Sequence, residues 1–191
     1  MKKVHRRLYR ICYNLFHMED TRNLVDRYKG MDMDMIVADL DQNGVMLEIA
    51  IENLERDFNM GTIVRSANAF GVRTVHVIGR KQWNKRGAMM TDKYLHVRYH
   101  SSVDDFLAAT SHKTLIAIDN TPEAVQLNNT PLPKKCVLIF GAEGPGISEK
   151  LRQKCQSTVA IEQLGSTRSV NVGVAAGIAM YEWLRQNTLS L

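Results

Sequence analysis

From about residue 45 onward, short continuous apolar runs alternate with stretches of helical periodicity, and this alternation restricts the chain to an α/β fold. The runs are 46–51 (MLEIAI), 74–79 (TVHVIG), 114–118 (TLIAI), 136–140 (CVLIF) and 158–161 (TVAI). Helical spacing falls near 61–70, 103–110, 147–156 and 171–187. A strand that is apolar on both faces must be covered on both faces. The pattern therefore predicts a mostly parallel sheet with helices on each side. The stretches around 80–100 and 120–135 are polar and longer, and read as loops available for substrate contact.

The first 44 residues differ in texture. Val4, Leu8, Ile11, Cys12, Leu15 and Phe16 recur at helical spacing, with Lys2, Lys3, Arg6, Arg7 and Arg10 on or beside them. This reads as a basic amphipathic helix. It could be docked by its apolar stripe with solvated charges, or serve as an arm whose cations neutralise phosphates. Residues 20–35 predict a second short helix, with Gly30 as its stop. The chain is thus divided into a helical, basic extension (1–44) and a main domain (45–191).

Bulk properties exclude several classes. At 191 residues the chain can bury one full core. No apolar run reaches the roughly 18 residues of a membrane span. Three cysteines, with no C-x-x-C spacing, argue against a disulfide framework and a zinc site, and the six histidines form no metal-ligand motif. A reducing, cytoplasmic setting fits, with no metal and no membrane. The formal net charge of +5 favours polyanionic partners, weakly.

Three constellations carry chemistry. NMGTIVRSANAFG (59–71) follows the first strand and opens a helix. Asn59 sits where a cap would sit, and Arg65 lies close to two turns in, able to project toward the strand ends where α/β sheets bind ligands. By itself it also reads as a capped helix with a surface arginine. FGAEGPGIS (140–148) closes the 136–140 strand. Its glycines let backbone approach a ligand. The spacing is neither the dinucleotide fingerprint nor a P-loop, and Glu143 would repel a phosphate, so a neutral or cationic ligand suits it. A plain tight turn capped by Ser148 is the alternative. IEQLGSTRSVNV (161–172) places Ser169 and Asn171 at the mouth of a long helix with a small, apolar face, where either could be a simple cap.

In this order, the three segments closely resemble the SpoU (TrmH-like) RNA methyltransferases of the SPOUT superfamily. That family pattern has N-x-G-x-x-x-R-x-x-x-x-F-G, then a strand ending in G-x-E-G-x-G, then I-P-M-x-G-x-x-x-S-L-N-V. The resemblance covers roughly residues 46–187. Glu162 and Gln163 stand where the family has Pro-Met, and Val170 where it has Leu.

The resemblance implies a deep C-terminal trefoil knot, S-adenosylmethionine bound within it, and a homodimer whose active site is completed across the subunit boundary. It implies methylation of a ribose 2′-hydroxyl in tRNA or rRNA. By position, Asn59, Arg65, Glu143, Ser169 and Asn171 would be catalytic, and Gly141, Gly144, Ile161, Leu164 and Val170 would hold the cofactor. A 2′-hydroxyl is a poor nucleophile, so a positioned acceptor helps it. A guanidinium stays protonated at neutral pH, so Arg65 is suited to orienting a phosphate or ribose. RNA grip is expected from Arg73, Lys81, Lys85, Arg86, Lys93 and Arg98 around the 80–98 loop, with Trp83 and Tyr94 available for stacking. No cysteine sits in a nucleophile context. The alternative is an RNA-binding module of the same fold without catalysis. An oxidoreductase on a doubly wound sheet and a class I methyltransferase are both disfavoured by the late glycine turn.

Overall fold

In the computed structural model, residues 22–53, 59–142 and 144–189 are described. The chain divides into two compact units, Met1–Asp32 and Met33–Leu191. The predicted amphipathic helix of 4–16 lies outside the described residues. Among the described residues 22–32 of the first unit, the helix expected over 20–35 is not formed, and only its last three positions are α-helical, as the start of the next element. There is instead a single 3-10 turn, Asp26–Tyr28, and Gly30 follows at φ +76, a left-handed conformation that favours glycine and ends the turn.

The second unit opens with helix α1, Met33–Asn43, beyond that glycine. Its sheet has strands β1 (Glu48–Asn53), β2 (Thr74–Gly79), β3 (His96–His100), β4 (Thr114–Ile118), β5 (Val125–Gln126), β6 (Cys136–Phe140) and β7 (Ser157–Ala160). Their order is β3-β2-β1-β6-β4-β7-β5, and every pairing is parallel. Four more helices follow α1: α2 (Asn59–Ala69), α3 (Val103–Ala109), α4 (Glu149–Arg152) and α5 (Val172–Asn187).

Alternation along the strands feeds two cores. Ile49, Ile51, Val75, Val77, Leu138 and Phe140 pack with Met60, Ile63 and Ala67 of α2 and with Ala176, Met180 and Trp183 of α5. Ala50, Val137 and Ile139, which alternate with them along β1 and β6, pack with Phe106 of α3 and Leu151 of α4. Helices therefore cover both faces, as continuous apolar strands require. The helix starts are capped locally. Ser102 Oγ accepts the Asp105 N–H at 3.1 Å, and Ser148 Oγ accepts that of Leu151 at 3.4 Å. The far end of α5 is pinned by Trp183 Nε1, which donates to the Pro133 carbonyl at 2.9 Å.

Three expectations change. The 80–100 stretch is not one loop, since it holds two 3-10 turns (Arg86–Ala88 and Thr91–Tyr94) and β3. The 120–135 stretch holds β5. The helix near 147–156 shrinks to the single turn of α4. Both missed strands are sheet edges, where one side faces solvent and no continuous apolar run is needed.

Candidate active site

The strands β4, β6 and β7 end at the same rim of the sheet, and three chain segments meet there. The first is the glycine turn after β6. A Cβ on Gly141 would lie 2.0 Å from the Gly146 carbonyl carbon, so the turn closes only with glycine. Gly146 N–H donates to the Ala142 carbonyl at 3.1 Å, and Gly144 and Gly146 have φ of +97 and +72. Two carboxylates fix its exit. Asp119 accepts the N–H of Ile147 at 3.2 Å and of Asn120 at 2.8 Å. Glu52, buried at the end of β1, accepts the Ser148 N–H at 2.7 Å. Glu143 lies outside the described residues.

The second segment runs from β7 to α5. Asn171 Oδ1 accepts the N–H groups of Gly173 (3.0 Å) and Val174 (3.3 Å) and so caps α5. Asn120 Nδ2 donates to the Arg168 carbonyl at 3.0 Å, tying this segment to the end of β4. Glu162 turns outward, its Oε1 accepting the Asn128 N–H at 2.8 Å, so it adds no charge to the cleft.

The third segment is α2. Asn171 Nδ2 donates to Asn59 Oδ1 at 2.9 Å. One turn on, Thr62 packs where a Cβ on Gly173 would meet its Cγ2 at 3.3 Å. Arg65 follows, exposed, about 9 Å along the axis from Asn59 at a rise of ~1.5 Å per residue.

Between the first two segments lies a cleft of about 300 Å³. Of the predicted residues, Gly141, Gly144, Ile161, Ser169, Val170 and Asn171 line it. Asn59 reaches it through Asn171. Leu164 does not line it and is fully exposed, its chain turning outward after Gln163. Sequence reading missed Ile118, Asp119, Asn120 and Gln163, which also line the cleft. The DN pair directly after the TLIAI run was the available signal, since ligands gather at strand ends.

The expected RNA contacts divide. Lys81, Arg86, Lys93 and Arg98 are exposed. Lys85 pairs with Asp92 at 2.6 Å. Arg73 is a correction: it is buried, its Nε pairs with Asp41 at 2.8 Å, and its Nη2 donates to the Tyr94 carbonyl at 2.7 Å. It locks α1 to the sheet and is not available to a phosphate. Tyr94 is also buried, whereas Tyr99 is exposed and lies under Lys81 Nζ at 5.2 Å.

Burial pushes the thiols of Cys136 and Cys155 up to about 12, leaving neither as a thiolate nucleophile. Among the described residues no cluster of His, Cys, Asp and Glu could hold a metal ion, and no helix is long and apolar enough to cross a membrane.

The model of the SpoU rRNA methylase family matches residues 46–181, which includes all three segments. The chain belongs to the SpoU family. A tRNA (guanosine(18)-2′-O)-methyltransferase from Thermus thermophilus is 26% identical over 150 residues, covering 73% of this chain and 75% of that protein. A solved structure described as giving insight into 2′-OH methylation of C/U34 on tRNA matches with a TM-score of 0.67 and 27% identity, covering 74% of this chain and 96% of the other. A SpoU tRNA-modifying enzyme from Aquifex aeolicus shares the fold, with a TM-score of 0.71 over 81% of each chain at 24% identity. Against another SpoU relative, the tRNA (guanosine(18)-2′-O)-methyltransferase of Escherichia coli, the match spans 63% of that protein's length.

Proposed function

We propose that this chain is an S-adenosylmethionine-dependent RNA methyltransferase that methylates a ribose 2′-hydroxyl of tRNA or rRNA. The observation that carries it is a cleft lined by Gly141 and Asn171, with Asn59 of the third segment hydrogen-bonded to Asn171. The SpoU relatives are named as enzymes acting on tRNA or rRNA.

The cleft fits the cofactor. Ile118, Ile161 and Val170 offer apolar walls, while Asn120, Ser169 and Asn171 offer hydrogen bonds. Neither lysine nor arginine lines it, so it suits a cationic ligand better than a phosphate. When bound, the cofactor supplies a methyl group on a sulfonium. Gly141, Gly144, Ile161 and Val170 would hold its adenosine portion, largely by backbone. Asn171 and Asn59 align the two walls. Arg65 orients the phosphate or ribose at the open side, so that proximity supplies much of the rate. Glu143 and Ser169 complete the polar set. Lys81, Arg86, Lys93 and Arg98 grip the RNA backbone.

The active form is a homodimer in this reading. Val174, Ile178 and Tyr181 form an exposed apolar stripe on α5 at i, i+4, i+7 spacing, a seam suited to a second copy. The strand order β6-β4-β7, with the Asn120–Arg168 tie between β4 and the segment after β7, supports a trefoil knot in this half. The basic N-terminal residues act as an extension in this reading, with Met33–Asn43 counted in the main domain rather than before residue 45, and the setting is cytoplasmic.

The test is incubation of the protein with radiolabelled S-adenosylmethionine and unfractionated tRNA or rRNA, followed by mapping of alkali-resistant linkages, which mark a blocked 2′-oxygen. Arg65→Ala should abolish transfer and leave cofactor affinity within about twofold. Full activity in that variant would overturn the assignment of Arg65. Absence of any 2′-O-methyl product with the wild type would overturn the function.

A further inference from the structure

Met89 and Met90 are adjacent residues in the left-handed region, at φ +48 and +65, and they are the only non-glycine residues with positive φ among those described. This conformation crowds the Cβ of any L-residue. Glycine would adopt it freely. Neither side chain recovers the cost by burial, for they are 51% and 53% exposed. Large apolar side chains held in a disfavoured backbone and turned to solvent point to a task outside the fold.

The tip that carries them is firmly built. Gly87 sits against α2 so closely that a Cβ on Gly61 would lie 2.7 Å from the Ala88 nitrogen. Thr91 Oγ1 donates to the Ala88 carbonyl at 2.6 Å from a buried position. Lys93 N–H donates to the Met90 carbonyl at 3.2 Å, and Met89 N–H to that of Arg86 at the same distance. The tip therefore projects as a fixed feature. It is seated on Gly61, and Arg65 stands one helical turn further on nearly the same face of α2.

Its surroundings select the occupant. Arg86, Lys93 and Arg65 are exposed cations near the tip, and the neighbouring acid, Asp92, is engaged by Lys85. An apolar seat ringed by cations suits a flat apolar group attached to a polyanion. A thioether is polarisable and packs well on such a ring.

We propose that Met89 and Met90 form a seat for a nucleobase of the substrate RNA, next to the ribose presented to Arg65. This rests on the methyltransferase reading above, and two independent measurements separate its failure from the failure of that reading.

The first is oxidation footprinting. Hydrogen peroxide converts exposed methionines to sulfoxides, which mass spectrometry reads residue by residue. Met35 and Met46, 60% and 51% exposed, serve as internal controls. With unfractionated tRNA or rRNA present, Met89 and Met90 should oxidise about tenfold more slowly, and the controls at an unchanged rate, since a stacked base contributes about a factor of ten or more to binding. Equal oxidation with and without RNA overturns the proposal. So does protection that rises with protein concentration without RNA, which would mean that a second copy covers the tip.

The second is the Met89→Gly/Met90→Gly variant, which relaxes the backbone as it removes the side chains. It should keep or raise the melting temperature and bind S-adenosylmethionine as the wild type does. Its kcat/KM for RNA should fall about tenfold, mainly through KM. Met89→Leu/Met90→Leu should restore most of that loss. An unchanged kcat/KM in the glycine variant overturns the seat. A wild type without methyl transfer overturns the enzyme reading instead, while the footprint still decides whether RNA covers the tip.

Discussion

Asn171 Nδ2 donates to Asn59 Oδ1 at 2.9 Å, joining side chains 112 positions apart in the chain. The same Asn171 uses its Oδ1 to cap α5, so one residue both starts a helix and closes the site. Asn171→Ala should cost about 1–2 kcal/mol of stability, the value of a lost cap and a lost hydrogen bond. Asn171→Asp keeps the cap, and the Asn59 amide must turn its Nδ2 toward the new carboxylate, which reverses the link and adds a negative charge at the cleft wall. This variant should restore the urea midpoint without restoring methyl transfer. Recovery of both in the aspartate variant would show that the Asn171 amide is dispensable.

Gly141→Ala tests the glycine turn. The added methyl would meet the Gly146 backbone, which has no flexible side chain to yield. The turn must open, so cofactor affinity should fall by more than tenfold. Far-ultraviolet circular dichroism should stay unchanged, because the paired residues of β6 end at Phe140, before the turn. Titration calorimetry reads the affinity.

The two kinds of arginine should separate cleanly. Arg73→Ala breaks a buried tie to Asp41 and the Tyr94 carbonyl, and should lower stability by about 2 kcal/mol while leaving the salt dependence of RNA binding unchanged. Arg86→Ala/Lys93→Ala should leave stability unchanged and reduce the slope of log affinity against log salt by about 2, one for each lost phosphate contact. Filter binding across salt concentrations checks both.

Acid stability should depend on Glu48. Burial pushes its carboxyl up, but hydrogen bonds from His76 (2.8 Å) and Lys113, with their charges, outweigh burial and hold it at about 2, against 4.5 for a free glutamate. The folded value lies below the unfolded one. Its contribution is therefore complete above about pH 4.5 and fades as pH falls toward 2, by up to about 3 kcal/mol. The stability difference between wild type and Glu48→Gln should shrink over that window in urea titrations. A constant difference would show that the His76–Glu48–Lys113 cluster does not set it.

The sequence announced the buried half of this fold and hid the exposed half. Runs such as CVLIF and TVHVIG declare themselves because strands covered on both faces must be apolar throughout. HVRYH of β3 exposes three of its five residues at the sheet edge and buries none fully, and so looks like loop. Gly141 and Asn171 were legible because a glycine-only approach and a helix cap leave local marks; Asn59, read as a cap, is instead the first residue of α2, with its Oδ1 taken up by Asn171. Asp119 was marked only by its place directly after the TLIAI run, and nothing in its neighbours records that its carboxylate acts on a turn 28 residues away. Arg73 misled for the same reason. Its partner Asp41 lies 32 residues earlier, and a cation beside a polar stretch looks the same whether it is free or paired.

The order of the strands separates two tasks. The cofactor cleft is built at the ends of β4, β6 and β7, and the basic tip hangs from the connection between β2 and β3, on the other side of β1. They share α2, however, and residues with a shared partner do not act independently. Changes in the β2–β3 connection therefore reach the cofactor cleft through Thr62, which meets the Gly87 backbone on one side and Gly173 of α5 on the other, so that the seating of the RNA and the shape of the pocket are adjusted together.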